Sequence, residues 1–211
     1  MAAELVVGAA LVLLVALGGV YFAIRPDPGA VDAWVLDVVP RAKGSWYTEV
    51  TALRYPWFIV LGAVILFGLV FKRDRARALA CLIGPPAALL LCELVAKPLT
   101  GRTLGGSLSY PSGSTAGAAA LAAAAVLATP ARWRTVVIVV AASYAVWMAL
   151  AVIILRWHFP TDALAGLSFG VGVVLVVDGL AQLIGVRTGI LGQGDVTGTR
   201  ADDDGVQPPI A

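Results

Sequence analysis

The stretch "TVVIVVAASYAVWMALAVIIL", residues 135–155, decides the fold class of this chain. It carries no charged side chain, and it is as long as the run of about 20 apolar residues that a helix needs to cross the hydrocarbon core of a bilayer. The stretch therefore predicts a transmembrane helix.

The composition of the whole chain agrees with that prediction. The 211 residues are 60% hydrophobic and 13% charged, with a mean hydropathy of +0.90, whereas a soluble domain has about 25% charged residues. A polytopic protein of the lipid bilayer is predicted. The net charge of +2 gives no reason to expect a nucleic-acid partner. The single histidine excludes a multi-histidine metal site, and Cys81 and Cys92 are expected to be buried thiols, so neither a metal nor a cofactor is predicted.

Six segments meet or approach the length of a membrane span, which predicts an all-α bundle of six transmembrane helices. They cover residues 5–24, 56–71, 78–96, 115–128, 135–155 and 163–184. A cleaved signal peptide is the rival interpretation of the first segment, and it is disfavoured because Glu4 and no basic residue precedes the apolar run. The predicted organisation is a first transmembrane helix at 1–28, an interfacial amphipathic loop at 29–55, a core at 56–185 and a disordered tail at 186–211.

The short loops predict the orientation. Six basic residues lie in the loops at 72–77 and 130–134, and three lie in the loops at 97–114 and 156–162. Since cytoplasmic loops are enriched in lysine and arginine, both termini are predicted to be cytoplasmic, and the loops at 97–114 and 156–162 to share the outer face of a bacterial plasma membrane.

Polar groups on that shared face suggest a functional site. The turn "YPSGSTAG" at 110–117 opens a helix whose first N–H groups favour an anion. Gly113 would let a ligand approach the backbone closely. Ser112, Ser114 or Thr115 could equally act as an ordinary helix cap.

The second loop holds His158 and Asp162, which are four residues apart and face the same side of a helix. A carboxylate that holds one imidazole nitrogen leaves the other free to attack or to accept a proton. An interfacial histidine beside a helix-starting aspartate is the alternative. In the first loop, Lys97 and Arg102 could neutralise a phosphate, although Lys97 could instead pair with Glu93.

These residues resemble the type-2 phosphatidic acid phosphatase and vanadium haloperoxidase superfamily, over about residues 50–185. Its membrane members have six helices and the motifs K-x6-R-P, P-S-G-H and S-R-x5-H-x3-D. The stretch "RWHFPTDALAG", residues 156–166, is the most specific match. The resemblance implies a phosphatase of phosphorylated membrane lipids.

By this resemblance His158 is the nucleophile and Asp162 orients it. The remaining predicted site residues would bind phosphate: Lys97, Arg102, Ser112, Gly113, Ser114 and Arg156. Arg156 is included as a replacement for an arginine that the third motif has lost.

The chain departs from the family pattern at three places. Leu104 and Gly105 stand for Arg-Pro, Ser114 stands for the histidine that protonates the leaving group, and Ala151 and Val152 stand for Ser-Arg. Serine is too weak an acid for that role, so an active protein is expected either to prefer a diphosphate substrate, whose leaving group needs a proton less, or to use a water molecule as the acid.

Three interpretations stay open. The chain hydrolyses lipid phosphates or diphosphates of the phosphatidate or prenyl type through a phosphohistidine, or it is an impaired relative that binds such lipids without turnover or serves as a partner subunit. An unrelated six-helix transporter is the weakest of the three. The sequence leaves the oligomeric state and the role of Asp178 open.

Overall fold

The chain folds mainly into helices. The computed structural model describes residues 2–41 and 51–187 and is 82% helical. A 3-10 turn at Thr51–Arg54 precedes the third helix. The helices are α1 (Ala2–Ile24), α2 (Ala30–Val38), α3 (Pro56–Val70), α4 (Arg75–Thr100), α5 (Gly113–Ala128), α6 (Ala131–Ile154) and α7 (Pro160–Arg187).

Four of these helices, α1, α4, α6 and α7, are long and apolar enough to cross a bilayer. Helices α3 and α5 are apolar but have only 15 and 16 residues. The protein is therefore an integral membrane protein. The described residues contain four helices long enough to span the bilayer, whereas the sequence predicts six. The stretch at 135–155 forms most of α6, as predicted.

Helix α4 changes its winding before it ends. Pro85 and Pro86 lie inside its first part, Arg75–Leu91. A π-helical turn follows at Cys92–Ala96, and a last α-helical turn ends at Gly101, which has a φ of +66°. Because π turns occur often at functional sites, this segment draws attention to Glu93 and Lys97.

A small hairpin follows α4 and is an exception to the all-α prediction. Strands β1 (Thr103–Leu104) and β2 (Ser107–Leu108) pair antiparallel. Gly105 and Gly106 connect them with φ values of +58° and +82°, as a tight hairpin turn requires. The hairpin carries the chain back from the end of α4 towards the start of α5.

Helix α7 packs against α1, α4 and α5. Two glycines let it approach α5 closely: a Cβ atom on Gly166 would lie 2.0 Å from Thr115 Oγ1, and one on Gly170 would lie 2.2 Å from the Ala116 carbonyl oxygen. Thr115 Oγ1 also donates to the Ala163 carbonyl at 3.2 Å. This contact fixes the first turns of α5 and α7 next to each other.

The segment 29–55 differs from the interfacial loop that the sequence predicts. Its first part forms α2, and Asp32 on this helix is completely buried. Thr161 donates to Asp32 through its backbone N–H at 3.0 Å and its hydroxyl at 2.8 Å. Helix α2 therefore docks on the start of α7. Residues 42–50 of this segment and 188–211 of the predicted tail lie outside the described residues.

Candidate active site

The loops before α5 and α7 meet at one end of the bundle, as the sequence predicts. The Ser112 N–H donates to the Asp162 carbonyl at 3.0 Å. His158 Nδ1 lies 2.8 Å from the Ser109 carbonyl oxygen. Two segments that are far apart in the sequence thus form one polar site around the imidazole.

The contact with Ser109 fixes the tautomer of His158. A carbonyl oxygen only accepts, so Nδ1 carries the hydrogen and Nε2 keeps its lone pair. Burial, together with the positive charges of Lys97 and Arg54, lowers the pKa of His158 to about 4, although the hydrogen bond with Ser109 opposes this shift. The imidazole is therefore neutral at pH 7, the state that a nitrogen nucleophile needs.

Asp162 does not hold His158 directly. Its Oδ2 atom lies 4.0 Å from His158 Nδ1, and it accepts a hydrogen bond from the Phe159 N–H at 2.9 Å. Its Oδ1 atom accepts from Arg102 at 2.6 Å. This differs from the prediction that Asp162 bonds the imidazole: Ser109 has that position, and Asp162 shapes the turn that carries His158.

Arg102 is completely buried and its guanidinium is occupied by protein groups. It bridges two carboxylates, Asp162 at 2.6 Å and Asp32 at 2.7 Å. The remaining partners are the Thr161 hydroxyl, the Pro26 carbonyl and the rings of Phe22 and Phe159 on its faces. The geometry therefore does not support the predicted phosphate contact, because desolvated carboxylates already take its donors.

The start of α5 retains free N–H groups. The Ser112 hydroxyl accepts from the Thr115 N–H at 3.5 Å, and the Ser112 carbonyl accepts from the Ala116 N–H at 2.9 Å. Ser112 is thus the helix cap. The N–H groups of Gly113 and Ser114 belong to the first turn, where no intrahelical acceptor exists, so they remain available to an anion.

A carboxylate stands beside that helix start. A Cβ atom on Gly113 would lie 1.8 Å from Glu93 Oε1, so the Glu93 carboxylate lies directly against the glycine. Lys97 donates to both oxygens of Glu93, at 2.8 and 2.9 Å. The pair that the sequence offered as an alternative for Lys97 is present, and it lies at the predicted anion position.

Arg156 lies at the end of α2. It adopts a φ of +60°, and its guanidinium donates to the carbonyls of Leu36 and, at 2.7 Å, Val39. Cations are favourable at helix C-termini because the last carbonyls have no intrahelical donor. The predicted phosphate contact of Arg156 is thus replaced by a contact that holds α2.

Within the described ranges 2–41 and 51–187, no group of three histidine, cysteine, aspartate or glutamate side chains could hold a metal ion. The groups available at the site are the imidazole of His158, the cations Lys97 and Arg54, the Glu93 carboxylate and the N-terminus of α5.

Comparison with known proteins identifies the family. The profile of the PAP2 superfamily matches residues 56–182. The chain belongs to the PAP2 superfamily. Its fold is similar to the crystal structure of a transmembrane PAP2-type phosphatidylglycerolphosphate phosphatase from Bacillus subtilis. That similarity has a TM-score of 0.65 at 25% identity and covers 82% of this chain and 96% of the other. No curated protein matches the chain.

The places where this PAP2 protein departs from the superfamily motifs have visible structural consequences. Gly105, where the first motif has proline, adopts a φ that proline cannot reach. Val152 is buried, and its carbonyl accepts the N–H groups of Trp157 and His158. The arginine of the third motif is therefore replaced by an apolar side chain, next to the loop that carries His158.

Arg54 is a candidate that sequence reasoning missed in this PAP2 chain. Its guanidinium lies 4.5 Å from the centre of the Trp157 ring, next to His158 in the sequence, and its charge acts on the imidazole. Its Nε atom is buried and has no hydrogen-bond partner within residues 2–41 and 51–187. No local signal distinguishes Arg54 in the sequence, because its ring partner lies far along the chain.

Asp178 belongs to a different part of the PAP2 bundle. It lies 16 positions after Asp162 on α7, about 24 Å at the rise of an α-helix. Its Oδ1 atom pairs with Arg77 at 3.4 Å, and Arg77 also lies near Asp74, the cap of α4. Asp178 is thus part of a polar cluster that is separate from the His158 site.

Proposed function

We propose that this PAP2 protein hydrolyses lipid phosphates or diphosphates, of the phosphatidate or prenyl type, through a phosphohistidine on His158. The observation that carries the proposal is the protonation state of this imidazole. Its Nδ1–H donates to the Ser109 carbonyl, which leaves the lone pair on Nε2, and burial keeps the ring neutral. Two cations and the start of α5 surround it.

Binding uses those positive groups. The Lys97 ammonium group has three N–H donors and directs two of them to Glu93, so one donor remains for a phosphate oxygen. The N–H groups of Gly113 and Ser114 and the guanidinium of Arg54 complete the cradle. Charge stabilisation of this kind supplies most of the rate enhancement in phosphoryl transfer.

Catalysis has two steps. Nε2 of His158 attacks phosphorus, and the bond from phosphorus to the leaving oxygen breaks. Water then attacks the phosphohistidine, the P–N bond breaks, and inorganic phosphate leaves as the lone pair returns to Nε2. Asp162 acts as a positioning residue, because its hydrogen bond with the Phe159 N–H sets the turn that aims the ring.

The proposed arrangement places the site at the membrane surface. The six apolar helices α1 and α3–α7 would cross the bilayer, with both termini in the cytoplasm and His158 at the outer face. The basic residues of the loops at 72–77 and 130–134 support this orientation. A lipid substrate would then present its phosphate at the level of the His158 loop.

The alternative is a relative that binds phosphorylated lipid without turnover. The Glu93–Lys97 pair favours it, since a carboxylate lies where phosphate would bind. Release of phosphate from matched prenyl mono- and diphosphates by purified protein separates the two functions. Phosphate release that disappears in His158→Ala supports the enzyme. Lipid binding without release in the wild type, with release gained in Ser114→His, supports the non-catalytic alternative.

A further inference from the structure

A lipid alcohol leaves as a strongly basic alkoxide, so its departure needs a proton donor near the phosphate. This requirement rests on the proposed function. His158 has no proton on the attacking nitrogen, and the Ser114 hydroxyl is too weakly acidic. Burial raises the pKa of Tyr110 to about 12, and its hydroxyl already donates to the Val15 carbonyl at 2.9 Å. These three groups are therefore unsuitable.

We propose that Glu93 is the proton donor of this reaction. Its carboxylate lies against Gly113, at the helix start where phosphate would bind, and Lys97 holds both of its oxygens. Glu93 lies in the π turn at Cys92–Ala96, and Lys97 follows this turn directly.

The position of Glu93 relative to the bilayer fits the leaving group. Its side chain is 43% exposed, while its α4 neighbours Leu90 and Leu94 are 56% and 69% exposed on the apolar surface of the bundle. Lys97 bonds Glu93, and its charge acts on the imidazole, so both groups lie near the same cation. Nucleophile and leaving group lie roughly in line in phosphoryl transfer, and in this proposal Glu93 faces the leaving oxygen.

The proton balance closes over the two steps. A phosphate monoester bound as its monoanion carries one proton, and the Glu93 carboxylate beside it accepts that proton. As Nε2 of His158 bonds to phosphorus and the P–O bond breaks, the Glu93 carboxyl gives its proton to the leaving oxygen. The resulting carboxylate then takes a proton from the attacking water as the P–N bond breaks, and Glu93 is protonated again. Phosphate monoesters of lipids thereby become substrates without the histidine that the family keeps at the position of Ser114.

Dependence on the leaving group tests this role. Glu93→Gln keeps the size of the side chain and one acceptor oxygen for Lys97 but cannot donate this proton. Purified wild type and Glu93→Gln are assayed in detergent with phosphatidate, whose leaving alcohol is a poor leaving group, and with p-nitrophenyl phosphate, whose phenolate leaves without a proton. We expect kcat to fall about 10²- to 10⁴-fold on phosphatidate and to change less than about tenfold on p-nitrophenyl phosphate.

Other results overturn the proposal. An equal fall on both substrates indicates a structural role for Glu93, and an unchanged or higher rate on phosphatidate indicates that the carboxylate only competes with phosphate. As a second measurement, Ser114→His in the Glu93→Gln background should restore the phosphatidate rate selectively, and no recovery contradicts a lost proton donor. If the wild type and His158→Ala release phosphate equally from both substrates, the proposed function itself fails, which is a different outcome from loss of the Glu93 effect alone.

Discussion

At the scale of single residues, a backbone carbonyl rather than a carboxylate holds the imidazole of His158, the proposed nucleophile. Ser109 accepts from Nδ1 at 2.8 Å, whereas Asp162 Oδ2 is 4.0 Å away. The hydrogen bond with the Ser109 carbonyl raises the pKa of His158, but burial and the charges of Lys97 and Arg54 lower it more, so the lone pair on Nε2 is retained over a wide pH range.

The neutral ring predicts that the rate of His158 phosphorylation changes little as the pH falls below 7. Because the pKa of His158 is lowered to about 4, the ring stays neutral as the pH falls from 7. With the ordinary value of about 6.5, the neutral fraction would fall about tenfold by a pH of about 5.5. We expect the single-turnover rate of His158 phosphorylation by p-nitrophenyl phosphate, corrected for titration of the substrate, to change less than about threefold over that range. A tenfold loss would contradict the neutral buried ring.

Arg54 is predicted to bind substrate phosphate. Its guanidinium lies on Trp157 with Nε unpartnered among the described residues, and hydrogen bonds of charged groups contribute about 1.5–3 kcal/mol. Arg54→Ala is expected to raise KM about 10- to 100-fold, and Arg54→Lys to raise it less. An unchanged KM with a lower melting temperature would instead assign Arg54 to holding the Trp157 loop.

At the scale of helices, the close approach of α5 and α7 brings the N–H groups that are proposed to bind phosphate next to His158, the proposed nucleophile. Gly166 brings α7 against Thr115 and the Ser112 carbonyl, while the Ser112 N–H bonds the Asp162 carbonyl. A wider spacing between the two helices would move the N–H groups of Gly113 and Ser114 away from His158.

Gly166→Ala is therefore expected to destabilise the protein and to lower its activity. Its Cβ would lie 2.0 Å from Thr115 Oγ1 and 2.4 Å from the Ser112 carbonyl oxygen, and the second contact is with backbone that cannot rotate away. Overpacking of this kind costs about 1–3 kcal/mol. Gly68→Ala on α3 is the matched control, since nothing lies within 4 Å of its Cβ position. Thermal unfolding in detergent measures both, and equal melting temperatures would contradict the close contact.

At the scale of the whole molecule, a buried ionic network joins α2 to the His158 loop. Arg102 links Asp32 to Asp162, and all three side chains are completely buried. Arg156 adds a second link by bonding the carbonyls of Leu36 and Val39. Helix α2 thus supports the site, although it lies outside residues 56–182, the segment that the family profile matches.

Removing one member of this network should be costly. Asp32→Ala leaves Arg102 with one carboxylate partner fewer, and breaking a buried pair costs about 3–5 kcal/mol. Asp37→Ala on the exposed side of α2 is the control and should change stability by less than about 0.5 kcal/mol. The readouts are the melting temperature and kcat in detergent. A stability loss in Asp37→Ala as large as that in Asp32→Ala would contradict a specific role for the network.

Features that follow from local residue patterns could be predicted from the sequence, whereas contacts between residues far apart in the chain could not. Hydropathy predicted six membrane helices, and four helices among the described residues have the length and composition to cross a bilayer. The "PSGS" turn and the His158 loop were located by residue type and spacing. The partners of the arginines were not predictable, because Arg102 and Asp32 are 70 residues apart and Arg156 and Leu36 are 120 apart. Glu93 was recognised only as a partner for Lys97, since its contact with Gly113 joins residues that are 20 positions apart in the chain.

The central claim is covalent catalysis by His158, and trapping the intermediate tests it most directly. Wild type and His158→Ala are mixed with p-nitrophenyl phosphate, quenched within one turnover and analysed by peptide mass spectrometry. We predict a phosphoryl group on His158 in the wild type, and none on the chain in His158→Ala. Phosphate release by the wild type with no phosphorylated His158, or with equal release by His158→Ala, would contradict the mechanism.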